Sequence, residues 1–247
     1  MKARVAILVL LIAVACATPA FLAAQAAEGP RNALVIGNAG YEHFAPLANP
    51  ANDAVDMADV LRSLGFRVTE LVDASFAEMD EAVFQFGETL ARRGGGGLFY
   101  YAGHAVEVDG VNYLVPVDQE IRRARELAYK AVQVGRIITE MEAARNATNV
   151  VILDACRDNP LPAEARGSSG RGLSVVQAPM GSLVVYATSP GYVAQDGSGR
   201  NGVFTGALLD HIETPGVDAE AMLRDVRRDV VAATGGEQVP WTNSSLT

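Results

Sequence analysis

One cysteine and one histidine stand where this chain could carry out nucleophilic chemistry. Cys156 follows residues 150–153, an apolar run typical of a short buried strand, and the polar residues and proline after the cysteine end that strand. His104 closes a second apolar stretch, residues 98–102, after a single glycine. If these strands are parallel neighbours in one sheet, both side chains lie at its carboxyl edge, where open α/β sheets bind ligands. A thiol beside an imidazole is a nucleophile beside its base.

The other residues that could bind a metal or a phosphate carry weaker signals. His43 lies in a predicted loop and His211 in a helix of ordinary pattern, so surface or structural roles are expected for both. The glycines at 94–97 predict a turn rather than a phosphate loop, because no Gly-Lys-Ser/Thr follows them. Neither the histidines nor the acidic residues have the spacing of a metal-binding loop. His104 differs, because Gly103 before it permits close backbone approach.

The first residues predict an export signal. A short basic start is followed by the apolar run 5–17, and Ala24-Gln25-Ala26 forms an A-x-A cleavage site. We therefore expect a signal peptide over residues 1–26 and a mature protein that is periplasmic or secreted. A membrane anchor is the first alternative, but the apolar run is too short for a comfortable span. The second alternative is a lipoprotein modified at Cys16.

Cleavage after Ala26 would change the chemistry open to the remaining thiol. The chain has two cysteines, so the loss of Cys16 leaves Cys156 alone and excludes an intramolecular disulfide. A lone thiol in an exported protein points to a reactive group. The alternative is that Cys156 serves as a small buried hydrophobic residue. Its position at a strand end favours reactivity.

The rest of the chain alternates predicted strands and helices, which indicates one α/β domain over residues 27–247 with a mainly parallel sheet covered on both faces. An Asp-Gly pair between two alternating runs predicts a hairpin at 106–115. A segment rich in Gly, Ser, Pro and Arg predicts a mobile loop at 161–181. Further strands are expected at 31–37, 66–72, 98–102, 150–153 and 183–188, helices after Asn52-Asp53 and at 76–93, 132–145, 202–212 and 218–233, and an extended end at 239–245.

The composition and net charge of the chain restrict the class of partner that it can bind. The chain is 49% hydrophobic and 20% charged, an ordinary globular composition. Its net charge of −9 argues against a nucleic-acid partner, which requires a basic surface. The acidic balance is compatible with substrates that carry positive charge.

Three segments resemble the motifs of caspase-like cysteine proteases. Residues 100–104, Tyr-Tyr-Ala-Gly-His, resemble the histidine motif, and residues 154–157, Asp-Ala-Cys-Arg, resemble the cysteine motif. The histidine precedes the cysteine by about 50 residues, as in caspases. Residues 186–192, Tyr-Ala-Thr-Ser-Pro-Gly-Tyr, resemble the segment that opens the small-subunit portion of animal caspases. The resemblance, which extends to bacterial metacaspases and orthocaspases, implies a caspase-like three-layer α/β/α sandwich with a mostly parallel sheet of about six strands.

The resemblance also implies a mechanism and assigns its residues. Cys156 would attack the scissile carbonyl as a thiolate, and His104 would give a proton to the leaving amine. The backbone N–H groups of Cys156 and Gly103 would form the oxyanion hole. No third orienting side chain is evident, and this family does not need one.

Substrate specificity follows from two aspartates at positions that differ from animal caspases. Asp154 stands where those enzymes have glutamine, and the alignment of residues 186–192 places Asp196 at their substrate-binding arginine. Two carboxylates in a cleft would repel an aspartate side chain and attract arginine or lysine, the preference of metacaspase-like enzymes. We therefore expect cleavage after Arg or Lys. The alternatives are that Asp154 is a strand-end hydrogen-bond acceptor and that Asp196 is a turn residue beside Gly197.

The loop after the cysteine carries Arg166 and Arg171, where an Arg-specific enzyme could process itself. The alternative is an ordinary surface loop that is never cut. Calcium activates metacaspases, but the sequence gives no local ligand arrangement, so no cofactor is predicted and calcium is left open. By the same resemblance, the protein is expected to be a monomer that acts on peptides or proteins.

Two other classes of function compete with an endopeptidase. A caspase-like fold can serve as a non-catalytic binding or signalling module, although such proteins usually lose the histidine or the cysteine, and this chain has both. Another thiol hydrolase on an α/β sheet is the third hypothesis, and the segment 186–192 argues against it.

Overall fold

The structure is a computed structural model that describes residues 29–156, 173–189, 197 and 199–246, and of Cys156 it describes the backbone alone. The predicted signal peptide over 1–26, the arginines at 166 and 171, and Asp196 lie outside the described residues. Among the described residues, no helix combines the length and the apolar character that crossing a membrane requires.

The strands that carry the candidate catalytic residues lie in the centre of one sheet. Six strands follow the order β2-β1-β3-β6-β7-β8, the first five mutually parallel and β8 antiparallel to β7, and two short strands, β4 and β5, extend the carboxyl end of β3. The strands are β1 Arg31–Gly37, β2 Arg67–Val72, β3 Gly96–Val108, β4 Val111–Leu114, β5 Val132–Gln133, β6 Thr148–Cys156, β7 Ser182–Tyr186 and β8 Trp241–Ser244. The predicted α/β sandwich with a mostly parallel sheet of about six strands is confirmed.

Helices cover both faces of this sheet. They are α1 Pro50–Ser63, α2 Phe76–Arg93, α3 Leu127–Lys130, α4 Val134–Ala143, α5 Val203–Ile212 and α6 Ala219–Ala233. Successive residues of a strand point to opposite faces. In β1, Leu34 and Ile36 therefore pack with α2 and α4, whereas Ala33 and Val35 pack with α1, α5 and α6. The central strands are apolar on both sides for this reason, and they hold their carboxyl ends rigidly at one edge.

The strand β3 is long because it belongs to two pairings. Its first part pairs with β1 and β6, and residues 105–108 pair with β4 in the predicted hairpin. Asp109 and Gly110 form the turn, with φ angles of +50° and +83°. Positive φ at both positions matches the right-handed twist of the strands. His104 therefore lies where β3 passes from the central sheet into the hairpin.

Several predicted boundaries differ from the structure, and three of them concern the type of element at the residue. Helix α1 begins at Pro50, a residue suited to the first helical position, so Asn52 and Asp53 lie in its first turn rather than before it. Residues 132–133 pair with β4 as β5 before α4 begins. The turn at 94–97 is shorter than predicted, because Gly96 and Gly97 already belong to β3.

Candidate active site

Strand pairing brings the candidate base and nucleophile next to each other. Strands β3 and β6 are parallel neighbours, and their register pairs Ala102 with Asp154, Gly103 with Ala155 and His104 with Cys156. Adjacent strands lie about 4.8 Å apart, so the backbones of His104 and Cys156 are neighbours at the carboxyl edge of the sheet. The sequence predicted that His104 and Cys156 would be neighbours if their strands paired in parallel. The backbone shows this pairing.

Two tyrosine hydroxyls fix the backbone around Gly103. The hydroxyl of Tyr41 accepts the N–H of His104 at 2.7 Å, and that of Tyr101 donates to the carbonyl of His104 at 2.8 Å. Gly103 has a φ of +150°, and a Cβ there would lie 2.6 Å from the Tyr41 hydroxyl and 2.7 Å from the Tyr101 hydroxyl. Both the backbone conformation and the lack of space require glycine at this position.

A backbone carbonyl orients the imidazole of His104. The residue is 4% exposed, and its Nε2 lies 2.9 Å from the carbonyl oxygen of Ala45. A carbonyl can only accept, so Nε2 carries the hydrogen and Nδ1 is the basic atom of the neutral ring. The ring centroid of Tyr41 lies 4.5 Å from that of the imidazole, and the centroid of Phe44 lies 6.4 Å from it in a T-shaped arrangement. The sequence predicted no orienting side chain, and the orienting group found here is on the main chain.

The loop that carries Ala45 is tied to the ends of β1 and β2. Asp73 accepts the N–H groups of Ala39 and Gly40, each at 2.8 Å, through a single carboxylate oxygen. The amide of Leu47 donates to the carbonyl of Ala39 at 3.0 Å. These bonds close the loop on itself, and the Ala45 carbonyl is held against the imidazole for that reason. This segment has no periodic hydrophobic pattern, so Tyr41 and Ala45 were not among the candidate residues.

Asp154 lies half-buried on β6, two residues before Cys156. Its Oδ2 accepts a hydrogen bond of 2.6 Å from the hydroxyl of Thr205, in the first turn of α5. The hydroxyl of Tyr100, a fully buried residue of β3, lies 2.6 Å from the same Thr205 oxygen. Burial, followed by the charges of Asp154 and Asp53, raises the pKa of Tyr100 well above its ordinary value, so this phenol stays protonated.

A second carboxylate, absent from the sequence-based candidates, lies beside Asp154. Asp53, in the first turn of α1, is 2% exposed and accepts the N–H of Gly202 at 3.0 Å. A Cβ placed on Gly202 would lie 3.3 Å from an oxygen of Asp53 and 3.6 Å from one of Asp154. Two carboxylates therefore converge on Gly202, which precedes α5. Acidic residues are common in the first turn of a helix, where they complement its dipole, so the sequence alone did not single out Asp53.

The segment before α5 is bound to α1 by charged hydrogen bonds. Arg200 donates from Nε and Nη2 to the two carboxylate oxygens of Asp56, each at 2.8 Å. Asn201 donates to Asp56 at 2.9 Å, and Asn52 donates to the carbonyl of Arg200 at 3.1 Å. The hydrogen bond from Arg200 is the main cause that lowers the pKa of Asp56. This segment comes a few residues after Asp196 in the sequence. It ends at Gly202, beside the carboxylates of Asp53 and Asp154.

The other histidines have contacts of a different kind. His43 is exposed and lies 3.9 Å from Glu42, and His211 forms a 2.6 Å contact with Asp229 between α5 and α6. The hydrogen bond from His211 is the main cause that lowers the pKa of Asp229. Among the described side chains, no three His, Cys, Asp or Glu residues are placed to bind one metal ion.

Comparison with known proteins identifies one family and two relatives. The family model described as the caspase domain matches residues 30–247. The human protein named mucosa-associated lymphoid tissue lymphoma translocation protein 1 is 32% identical over 188 residues, which cover 73% of this chain and 21% of the human protein. Its mouse homolog matches with the same identity and coverage. The chain thus spans about a fifth of the length of these relatives.

Proposed function

This chain belongs to the caspase family, as its three motifs predicted, and on that premise we propose that it is an endopeptidase with a Cys156–His104 dyad that cleaves after Arg or Lys. The caspase domain supports a cysteine peptidase. The dyad, the specificity and the export of the protein are the finer parts of the proposal.

The pairing of His104 with Cys156 supports the dyad. In the proposed reaction, Nδ1 of His104 takes the thiol proton and the sulfur attacks the carbonyl carbon of the scissile bond. The N–H groups of Gly103 and Cys156 receive the negative charge on the carbonyl oxygen. The C–N bond then breaks, and His104 returns the proton to the leaving amine. A water molecule hydrolyses the thioester by the same route and releases the thiol.

The convergence of Asp53 and Asp154 on Gly202 is the observation that carries the proposed specificity. Asp154 belongs to the same strand as Cys156, two residues before it, so these charges lie close to the proposed nucleophile. A guanidinium or ammonium group would be attracted to the pair, whereas an aspartate side chain would be repelled. Asp196 is proposed as a further carboxylate of this pocket.

Peptides that differ only at the residue before the scissile bond test the proposal. We expect hydrolysis after Arg and Lys, none after Asp, and loss of activity in Cys156→Ala and His104→Ala, each assayed with and without calcium. His211→Ala is the matched histidine control and should keep activity. Preference for Asp would contradict the specificity. A lack of Cys156-dependent cleavage under every condition would favour a non-catalytic binding module.

The same preparations test self-processing at Arg166 or Arg171, a part of the proposal that follows from the specificity. Wild type incubated beside Cys156→Ala should yield two fragments that the variant lacks, with a new amino terminus at residue 167 or 172. Identical intact chains in both samples would contradict it. Export by the leader at 1–26 and the monomeric state are proposed on the sequence grounds given above.

A further inference from the structure

A chain of buried hydrogen bonds ends on Asp154. The hydroxyl of Tyr100 lies 2.6 Å from that of Thr205, which lies 2.6 Å from Oδ2 of Asp154. The three residues belong to β3, α5 and β6 respectively. Tyr100 and Thr205 are both 0% exposed, so water does not compete for these hydrogen bonds.

The proton positions in this chain follow from the donors and acceptors. An ionised Asp154 can only accept, so the single hydroxyl hydrogen of Thr205 points to the carboxylate. The oxygen of Thr205 must then accept from Tyr100, because Thr205 has no second hydrogen to give. Both bonds are therefore polarised toward Asp154, and hydrogen bonds to a charged acceptor are about twice as strong as neutral ones.

We propose that Tyr100 and Thr205 are positioning residues for substrate specificity, which fix the orientation and the negative charge of Asp154 for a cationic substrate side chain. This inference rests on the proposed function, since it concerns how the acidic pocket is built. Neither residue touches the reacting atoms, and Tyr100 acts only through Thr205.

The amino-terminal end of α5 donates hydrogen bonds to both carboxylates of the pocket. Thr205 donates to Asp154, and the N–H of Gly202, at the start of the same helix, donates to Asp53. The amino end of a helix carries partial positive charge, which favours two ionised groups that would otherwise repel each other. The helix therefore compensates the repulsion between the carboxylates, and a cationic side chain can then interact with both.

Arginine and citrulline peptides separate this role from a structural one. Citrulline has nearly the shape of arginine without its charge, so the ratio of their kcat/KM values measures the charge-dependent part of recognition. We expect Thr205→Val to lower this ratio about tenfold, mainly through KM for the arginine peptide, because one hydrogen bond to a charged group is lost. Thr205→Ser keeps the hydroxyl and should restore the ratio. We expect Tyr100→Phe to lower it about threefold, since the bond it removes is neutral.

The double variant tests whether Tyr100 acts on Asp154 through Thr205. If Tyr100 acts through Thr205, then Tyr100→Phe has no further effect on the ratio in the Thr205→Val background. Tyr186→Phe is a matched control, because this buried tyrosine of the neighbouring strand β7 bonds through its hydroxyl to the backbone at Ser174 and Val176. Thermal unfolding checks that each variant is folded, and Tyr100→Phe, which removes a single oxygen, suffices for the test if Thr205→Val does not fold.

The outcomes distinguish this inference from the proposed function. A wild type that does not cleave arginine peptides contradicts the function itself. A wild type that does, together with variants that leave the ratio unchanged or lower both peptides equally, contradicts the positioning role alone. Additive effects in the double variant would show that Tyr100 acts independently of Thr205, against the inference.

Discussion

Gly103 and Gly202 both lie beside the candidate active site, but they meet different constraints. Gly103 combines a positive φ with two tyrosine hydroxyls closer than 3 Å to any Cβ, so substitution there would disturb the backbone of His104. Gly202 has φ −59° and ψ 153°, angles that any residue adopts. Among the described residues, a Cβ at Gly202 would meet only the two carboxylates. Gly202 therefore offers a way to alter the proposed pocket without altering the backbone.

We predict that Gly202→Ala lowers kcat/KM for Arg and Lys peptides about tenfold, because one methyl group would occupy the point on which Asp53 and Asp154 converge. Alanine is also a weaker residue before a helix, so a loss of about 1 kcal/mol in the free energy of unfolding is expected. Steady-state kinetics and thermal unfolding measure the two effects. Thiol alkylation by iodoacetamide should be unchanged, because the dyad is untouched.

Gly206→Ala is the matched control for this substitution. Gly206 lies in the helix that Gly202 precedes, and among the described residues its Cβ would meet only a side-chain carbon of Asn201 at 3.9 Å, an ordinary contact. This variant should keep full activity and gain up to about 1 kcal/mol of stability from helix propensity. Equal kinetic losses in both variants would mean that the carboxylates at Gly202 do not form the substrate pocket.

Among the elements, α1 and α5 were predicted at nearly their observed bounds, yet the contact between them was not. Periodicity gives the apolar face of each helix, but the pairing of Asp56 with Arg200 joins residues far apart in the sequence. The error at the start of α1 had a local origin: Pro50 is the first helical residue, so Asp53 lies inside the helix. Once Pro50 is recognised as the first residue, the carboxyl-edge position of Asp53 follows from the strand–helix order.

We predict that Arg200→Gln raises KM for arginine peptides several-fold with little change in kcat. The substitution removes the paired hydrogen bonds to Asp56 that fix the segment 200–202 on α1. Removal of a positive charge would by itself strengthen the attraction of a cationic substrate, so a higher KM identifies a structural effect. Because the pKa of Asp56 is lowered, its carboxylate remains ionised down to acid pH, and the effect should persist across neutral and mildly acidic assays.

Arg62→Gln provides the comparison for this variant. Arg62 is also an arginine paired with carboxylates of α1 and β2, at the opposite end of the same helix. Its loss should leave KM unchanged, because these contacts lie at the end of α1 away from Gly202 and its two carboxylates. A rise in KM in both variants, or in neither, would contradict a specific role for the contact between Arg200 and Asp56.

For the whole molecule, the sequence predicted the layers better than the order of the strands. Runs such as 98–102 and 150–153 are apolar on both faces, which indicates central parallel strands. Local patterns cannot tell which strands are neighbours, so the adjacency of β3 and β6 could be predicted only on the condition that the two strands pair in parallel. The loop at 38–49 carries no periodic pattern, so its carbonyl at Ala45 and its tyrosine could be found only from the folded backbone. The antiparallel edge strand β8 had no sequence signal beyond an extended end.

The net charge of −9 leads to a prediction about the effect of salt on activity. A negative molecule with an acidic pocket attracts cationic peptides over a distance, and salt shortens that range from about 10 Å at 0.1 M to about 3 Å at 1 M. We therefore expect kcat/KM for an arginine peptide to fall about three- to tenfold between low and high salt, through KM. The matched citrulline peptide should change little, since it lacks the charge. The rate of iodoacetamide alkylation reports salt effects on the thiol itself, and the kinetic values are compared after correction for it. An equal fall in kcat/KM for both peptides would mean that salt acts on the enzyme rather than on attraction of the substrate. The net charge of the protein would then have no part in its substrate specificity.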